Sequence, residues 1–256
     1  MSDPILEAHN LSRNFGDFVA VDEVNFTLNP GEIVGFLGPN GAGKTTTIKM
    51  LTGLLGPSSG TARVAGFDMA QSPLEAKARI GYVPDTPNLY GKLKAQEYLR
   101  FVGQLYKVSP EQVEARIKPM LDVFDLTDVA GNYLDTFSHG MQQKVAIIGA
   151  FLHQPQIVFM DEPTVGLDPR SARLIKDLMI RHRDNGGTIF FSTHILEIAQ
   201  TMCDRVIIIN KGRIVADAQV SEMRRMRGDQ SLEDIFLELT GGKEVDEMVK
   251  ELSNGG

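Results

Sequence analysis

The stretch Gly38–Thr45 reads GPNGAGKT and fits the pattern GxxxxGK[ST], which is typical of loops that bind phosphate groups. Glycines let backbone N–H groups turn inward around phosphate oxygens, and a helix that starts at such a loop directs its positive dipole end at the same anion. In this pattern the Lys44 side chain reaches the β- and γ-phosphates, and the Thr45 hydroxyl binds Mg²⁺. We therefore predict a phosphate site formed by Gly38, Pro39, Asn40, Gly41, Ala42, Gly43, Lys44, Thr45 and Thr46.

Two adjacent carboxylates, Asp161 and Glu162, follow the apolar run Ile157–Met160. A carboxylate at the carboxyl end of a buried strand can face the crevice at the sheet edge where phosphates bind. We predict that Asp161 holds Mg²⁺, directly or through water, and that Glu162 polarises the attacking water. Apolar strands often end in acidic residues, so the pair indicates a site only together with the phosphate loop.

The elements that would position these groups alternate between strands and helices, which implies βαβ units and a largely parallel sheet. Near the N-terminus, Val19–Leu28 approximates the period-2 alternation of a half-buried strand, and we expect an antiparallel β part there. The predicted fold class is α/β with a mostly parallel sheet. The pattern predicts strands at Ile33–Leu37, Ile80–Val83, Ile157–Met160, Thr188–Ser192 and Val206–Ile209, and helices at Lys44–Leu54 and Pro169–Asp184.

A long helical stretch interrupts this alternation. From about residue 93 to residue 152 the apolar residues recur at spacings of three and four, and Ser109-Pro110 is typical of a helix start. We predict a helical subdomain at about residues 88–152, inserted into a domain that spans residues 1–240. Residues 241–256 are predicted as a helical tail that frays at its end. Amphipathic helices are predicted at Ser231–Leu239 and at Glu244–Leu252.

Composition excludes several classes of protein. The 256 residues include 26 Lys and Arg against 33 Asp and Glu, and the net charge of −7 argues against broad nucleic-acid binding. A single cysteine, Cys203, excludes an internal disulfide and is expected in the core. The sequence shows no signal-peptide pattern and no apolar run of the ~20 residues that a membrane span needs. We predict a cytoplasmic chain, with any membrane part supplied by another polypeptide.

Several further motifs carry a resemblance to a known family. Phe137–Gln143 (FSHGMQQ) resembles the LSGGQ-type signature of the ATP-binding cassette (ABC) family, and Asp161–Thr164 resembles its Walker B segment with the catalytic glutamate. Val165–Pro169 resembles the D-loop, and Thr193-His194 resembles the segment of the switch histidine. Phe15 matches the aromatic residue that stacks on adenine. Each motif alone has a structural explanation, but all occur in the family's order across residues 5–240.

The resemblance implies a P-loop ATPase core that uses ATP and Mg²⁺ and works as a head-to-tail homodimer. It implies catalytic roles for Glu162 and His194, and base stacking for Phe15. The ATP held by one chain would be covered by its partner's signature segment. The residues implied to act on the partner's ATP are Ser138, His139, Gly140, Met141, Gln142 and Asp168.

Three positions depart from the family pattern. Asp85 replaces the Q-loop glutamine, His139 replaces the second glycine of LSGGQ, and Met141 replaces its glutamine. Asp85 is shorter and charged, and we predict that it meets Mg²⁺ or the attacking water. These changes resemble the variant found in ATPases of exporters whose membrane subunits are separate polypeptides.

The resulting prediction is the ATP-hydrolysing subunit of an ABC transporter of the exporter type, peripheral on the cytoplasmic face of the membrane. It would dock on an integral membrane subunit through the helical subdomain and the segment Asp85–Lys94, where Leu89 and Tyr90 either pack inward or face that partner. One alternative is a soluble ABC ATPase in assembly or regulation without transport. Another is a switch that binds ATP without turnover, against which Glu162 and His194 argue.

Overall fold

A computed structural model describes residues 3–226 and 232–241 of the chain. Within these residues a six-stranded sheet has the order β10-β9-β3-β8-β7-β6, in which β9, β3, β8, β7 and β6 run parallel. The strands are β3 (Ile33–Leu37), β6 (Ile80–Val83), β7 (Ile157–Asp161), β8 (Thr188–Thr193), β9 (Arg205–Asn210) and β10 (Arg213–Gln219).

The three central strands are buried along their whole length. β3, β7 and β8 show no exposed position, which fits their largely apolar sequences and a parallel sheet covered on both faces. At the edge, β10 pairs antiparallel with β9 through a two-residue turn, Lys211-Gly212, in which both residues have positive φ. The predicted α/β class with a mostly parallel sheet is confirmed.

A second sheet is antiparallel and has the order β2-β1-β4-β5. Its strands are β1 (Leu6–Phe15), β2 (Phe18–Leu28), β4 (Ser59–Val64) and β5 (Phe67–Asp68). The antiparallel part expected near the N-terminus is therefore present. Phe26 of β2 stacks on Phe36 and Phe190 of the parallel sheet, with ring centroids 6.2 and 5.7 Å away, and so joins the two sheets in one core.

Helices cover the parallel sheet. The predicted start at Ser109 is confirmed, because its Oγ accepts a hydrogen bond from the Gln112 N–H. The expectation that the first helix runs to Leu54 is wrong: the helix ends at Leu51, and Gly53 follows in the left-handed region at φ +67°. The helices are α1 (Lys44–Leu51), α2 (Pro73–Lys77), α3 (Ala95–Leu105), α4 (Pro110–Val123), α5 (His139–Phe151), α6 (Pro169–Asp184), α7 (Leu196–Met202), α8 (Val220–Met226) and α9 (Leu232–Thr240).

Two predictions concern the C-terminal part of the chain. α9 confirms the predicted helix from Leu232 to Leu239 and continues to Thr240, whereas Ser231 and the predicted helix at Glu244–Leu252 lie outside the described residues. Cys203 is buried, as expected of a core residue. No helix within residues 3–226 and 232–241 is both long and apolar enough to cross a membrane.

Candidate nucleotide site

The predicted phosphate loop lies between the end of β3 and the start of α1. Gly43, the residue that precedes α1, has φ +108°, and a Cβ there would lie 2.7 Å from the carbonyl oxygen of Ala20. A Cβ at Gly38 would lie 2.4 Å from the carbonyl oxygen of Ile209. Only glycine fits these two positions, because neighbouring backbone carbonyl groups come too close for a Cβ atom. The glycines of the GxxxxGK[ST] pattern therefore allow close backbone packing as well as leaving the N-terminus of α1 open to an anion.

Lys44 is held inside this loop and is 7% exposed. Its Nζ donates hydrogen bonds to the carbonyl oxygens of Gly38, at 2.7 Å, and Pro39, at 3.2 Å. Burial lowers the pKa of Lys44, and the nearby carboxylates of Glu162 and Asp161 partly oppose that shift. The loop carbonyl oxygens therefore hold the Lys44 ammonium group inside the loop, where the sequence pattern places a cation that binds phosphate oxygens.

Asp161 ends β7 and is 1% exposed. Its Oδ1 accepts a hydrogen bond from the Ser192 hydroxyl at 2.5 Å, whereas its buried Oδ2 has no partner among the described residues. A buried carboxylate oxygen without a partner is costly, and Mg²⁺ is commonly held by one or two carboxylates together with substrate phosphates. Asp161 and the hydroxyl of Thr45, which line the same cavity, are hard oxygen donors and fit Mg²⁺.

Glu162 follows the last residue of β7, and its backbone lies in the left-handed region, at φ +49°. This conformation costs a non-glycine residue on the order of 1–3 kcal/mol and is common at functional sites. The side chain lies between two groups: Oε2 is 3.0 Å from Nδ1 of His194, and Oε1 is 3.9 Å from Nζ of Lys44. The turn thus aims the carboxylate at the phosphate loop and at the residue that follows β8.

A cavity of about 350 Å³ brings many of the predicted residues together. A larger cavity of about 890 Å³, between α4 and α6, is lined by none of the predicted site residues that the structure describes. The smaller cavity is lined by Phe15, Phe18, Ala20, Asn40, Gly41, Gly43, Lys44, Thr45, Thr46, Asp85, Asp161 and Glu162.

Two aromatic rings flank the cavity. Phe15 and Phe18 face each other across the β1–β2 hairpin, and they are 47% and 65% exposed. The guanidinium of Arg13 lies 4.7 Å from the centroid of the Phe15 ring and donates to the carbonyl oxygen of Gly56 at 2.8 Å. Sequence reasoning missed Phe18, although Gly16-Asp17 is a turn signal that would pair it with Phe15.

The predicted signature residues lie elsewhere. Ser138 caps α5, with Oγ accepting from the Met141 N–H at 3.3 Å, and His139 lies beside Gly166. Gln142 donates its side-chain amide to the carbonyl oxygen of Leu134 at 2.9 Å. Of the residues that the structure describes, no member of this segment lines the phosphate-loop cavity of its own chain.

Asp168 caps α6. Hydrogen bonds from the Ser171 hydroxyl and from its backbone N–H lower the pKa of the Asp168 carboxyl. Lys144 of α5 places its Nζ 3.8 Å from the same carboxylate. This ion pair connects the signature helix to the segment that resembles a D-loop.

Asp85 lies exposed just beyond β6 and lines the cavity beside the carboxylates. Burial, with the charges of Asp161 and Asp85 adding to it, raises the pKa of Tyr82 to about 12. Gln143 of α5 donates to the carbonyl oxygen of Pro84 at 3.3 Å. The Asp85 loop is therefore in contact with the helix that begins at the signature segment.

The fold and this site define the chain as a P-loop ATPase domain of the cassette type. The chain belongs to the ABC transporter family, since the family profile described as "ABC transporter" matches residues 21–165. It is 38% identical over 231 residues to the ABC transporter ATP-binding protein NatA of Bacillus subtilis, covering 88% of this chain and 94% of NatA.

Other relatives extend the comparison. The chain is 35% identical over 240 residues to the probable multidrug ABC transporter ATP-binding protein YbhF of Escherichia coli, covering 92% of this chain but only 41% of YbhF. It is 36% identical over 219 residues to the Nod factor export ATP-binding protein I of Cupriavidus metallidurans, covering 86% and 72% of the two chains.

Solved structures agree with the fold. An ATP-binding subunit of an ABC transporter is 36% identical and superposes with a TM-score of 0.87, covering 92% of this chain and 99% of that one. A dimeric ATP-binding cassette in a post-hydrolysis state, bound to ADP and phosphate, is 25% identical with a TM-score of 0.77 and covers 84% and 98%.

Proposed function

We propose that this chain powers a transporter by hydrolysing ATP at the phosphate-loop cavity, with Glu162 as the residue that acts on water. The observation that supports this most is the convergence of Lys44, Glu162 and His194 at one edge of the parallel sheet, although they come from three separate segments. Phosphoryl transfer needs mainly positioning and charge stabilisation, and these groups supply both.

In this proposal each side chain has a stated part. Lys44 and the loop N–H groups bind the phosphates, Phe15 and Phe18 contact the base, and Glu162 orients the attacking water and takes its proton. His194 holds the Glu162 carboxylate through the contact at Oε2. Thr45 and Asp161 would hold Mg²⁺, which neutralises phosphate charge when it is bound, and Asp85 is proposed to lie near that ion.

We further propose that ATP closes a head-to-tail homodimer. The signature residues do not line the cavity of their own chain within the described residues, and a related cassette is dimeric with ADP and phosphate bound. Ser138, His139, Gly140, Met141, Gln142 and Asp168 would act on the partner's ATP. In this arrangement nucleotide binding contributes to association by mass action.

The proposed partner is a separate integral membrane subunit of an exporter, with this chain peripheral on the cytoplasmic side. Support comes from the name of one relative, which specifies Nod factor export, and from the exposed Tyr90 on the segment Asp85–Lys94. The Tyr90 ring is 63% exposed, and it also contacts Phe101, with ring centroids 5.7 Å apart.

Purification from native membranes in mild detergent tests this proposal. A tagged chain is expected to recover a membrane protein, and Tyr90→Ala is expected to recover less of it with unchanged ATPase activity and melting temperature. Fractionation of the tagged chain with soluble proteins alone would instead favour an assembly or regulatory ATPase.

A further inference from the structure

Ser192 is hydrogen-bonded to both acidic residues at the end of β7. It lies on β8, directly opposite Asp161 in the parallel β7–β8 register, and its side chain is fully buried. The hydroxyl of Ser192 donates to Asp161 Oδ1 at 2.5 Å and accepts a hydrogen bond from the Glu162 N–H at 3.0 Å. One hydroxyl group thus binds both acidic residues of the pair.

These two hydrogen bonds have different consequences. The bond to Oδ1 is short and charge-assisted, and it fixes the Asp161 carboxylate so that the other oxygen, Oδ2, is the one without a partner. The bond from the Glu162 N–H satisfies a backbone donor at a residue that has already left the strand at φ +49°. Ser192 therefore supports both the free oxygen of Asp161 and the turn that aims Glu162.

We propose that Ser192 is a positioning residue that sets the metal-binding oxygen of Asp161 and the carboxylate of Glu162 together. The inference rests on the proposed Mg²⁺ site and on the proposed role of Glu162. Groups that orient a ligating carboxylate affect metal affinity or activity by roughly 10–100-fold when they are removed. A residue that merely filled space in β8 would affect melting temperature but neither of these quantities selectively.

The test compares the full-length wild-type chain with Ser192→Ala and with a matched control, Thr188→Val. Thr188 lies on the same strand and is also fully buried, but its hydroxyl bonds to Asn29 and Gly31, away from the site. Mn²⁺ serves as the metal probe, and its affinity is measured by electron paramagnetic resonance with a non-hydrolysable ATP analogue. Nucleotide affinity in EDTA and the rate of ATP hydrolysis are measured alongside.

Ser192→Ala is expected to weaken Mn²⁺ binding and to reduce kcat by about tenfold or more, with nucleotide affinity in EDTA unchanged. Thr188→Val is expected to match wild type in Mn²⁺ affinity and kcat. If Ser192→Ala does not fold, Ser192→Cys replaces the hydroxyl by a weak donor and is expected to show the same losses.

Mn²⁺ affinity and kcat within about twofold of wild type in a folded Ser192 variant would overturn the inference. Equal losses in Thr188→Val would also overturn it, because they would show a general effect of lost hydroxyls in β8. Wild-type protein that binds the analogue but not Mn²⁺ would contradict the proposed metal site itself, and the inference with it.

Discussion

The carboxyl edge of the parallel sheet and the start of α5 are both rich in motif residues, yet their side chains are used differently. At the sheet edge, the Glu162 carboxylate lies between Lys44 and His194, and Lys44 and Glu162 line a cavity. At the start of α5, Ser138 caps its own helix and His139 lies exposed beside Gly166. The first region is a convergent site within one chain, and the second presents a helix N-terminus outward. In the proposed dimer, each chain therefore forms the phosphate-loop half of one site by itself and presents the signature half of the other site to its partner.

Replacing Glu162 gives the largest expected effect on the first region. Glu162→Gln keeps the shape and the contact with His194 but removes the charge that takes a proton from water. Turnover is expected to fall by ~10²-fold or more, the scale of positioned acid–base groups, while ATP still binds. Phosphate release and nucleotide binding measured on the same preparation check this. Turnover near that of wild type would remove Glu162 from its assigned role.

Loss of the loop cation is expected to affect binding instead. Lys44→Ala removes charge-assisted hydrogen bonds to phosphate, and nucleotide affinity is expected to fall roughly 10–100-fold. Lys49→Ala is the matched control, because Lys49 lies on the same helix and is exposed. Titration with a fluorescent ATP analogue separates the two variants. Similar affinities for both would place the anion away from the loop.

His153 lies away from both regions, beyond the end of α5 and beside the start of β6, and its expected effect is on stability rather than on activity. It follows α5, its Nε2 lies 3.0 Å from the Ile80 carbonyl oxygen at the start of β6, and its ring stacks on Tyr106. Burial lowers the pKa of His153 to about 4 from its usual 6.5, although the hydrogen bond to Ile80 opposes the shift. Between these two pH values the unfolded chain binds more protons than the folded chain, so stability falls as the pH falls through this window.

The expected loss on going from pH 7 to pH 4 is about 2–3 kcal/mol of unfolding free energy from this group. His153→Gln is expected to flatten the dependence in that window, as measured by chemical unfolding at a series of pH values. A variant that retains the full wild-type slope would assign the effect to other groups.

The candidate site could be predicted from the sequence where its residues are contiguous. The phosphate loop could be predicted because glycine spacing reflects close backbone contacts within one turn, and Asp161-Glu162 because a strand ends there. Ser192 was not found, because its contact with Asp161 depends on the β7–β8 register between segments 31 residues apart. Strand pairing of this kind has no local signal in a sequence of buried apolar runs.

The fold shows the same limit. The class was predictable from alternating elements, but β1 was missed, because irregular pairing between Ala8 and Leu11, with Asn10 at φ +46°, breaks the period-2 pattern. The end of α1 was placed too late, because the apolar pattern continues past Gly53, where the backbone turns left-handed. Both errors arise from backbone geometry that side-chain periodicity does not record.

Mixing two inactive variants tests the central claim, that each working site combines the sheet edge of one chain with the start of α5 of another. Lys44→Ala damages only the first region, and Ser138→Arg damages only the second. Each variant alone is expected to hydrolyse ATP very slowly. In a mixed dimer one site keeps an intact phosphate loop and an intact signature segment, so the mixture is predicted to hydrolyse ATP well above the sum of the two separate activities. A mixture no more active than that sum, with mixed dimers shown by tag exchange, would contradict the account.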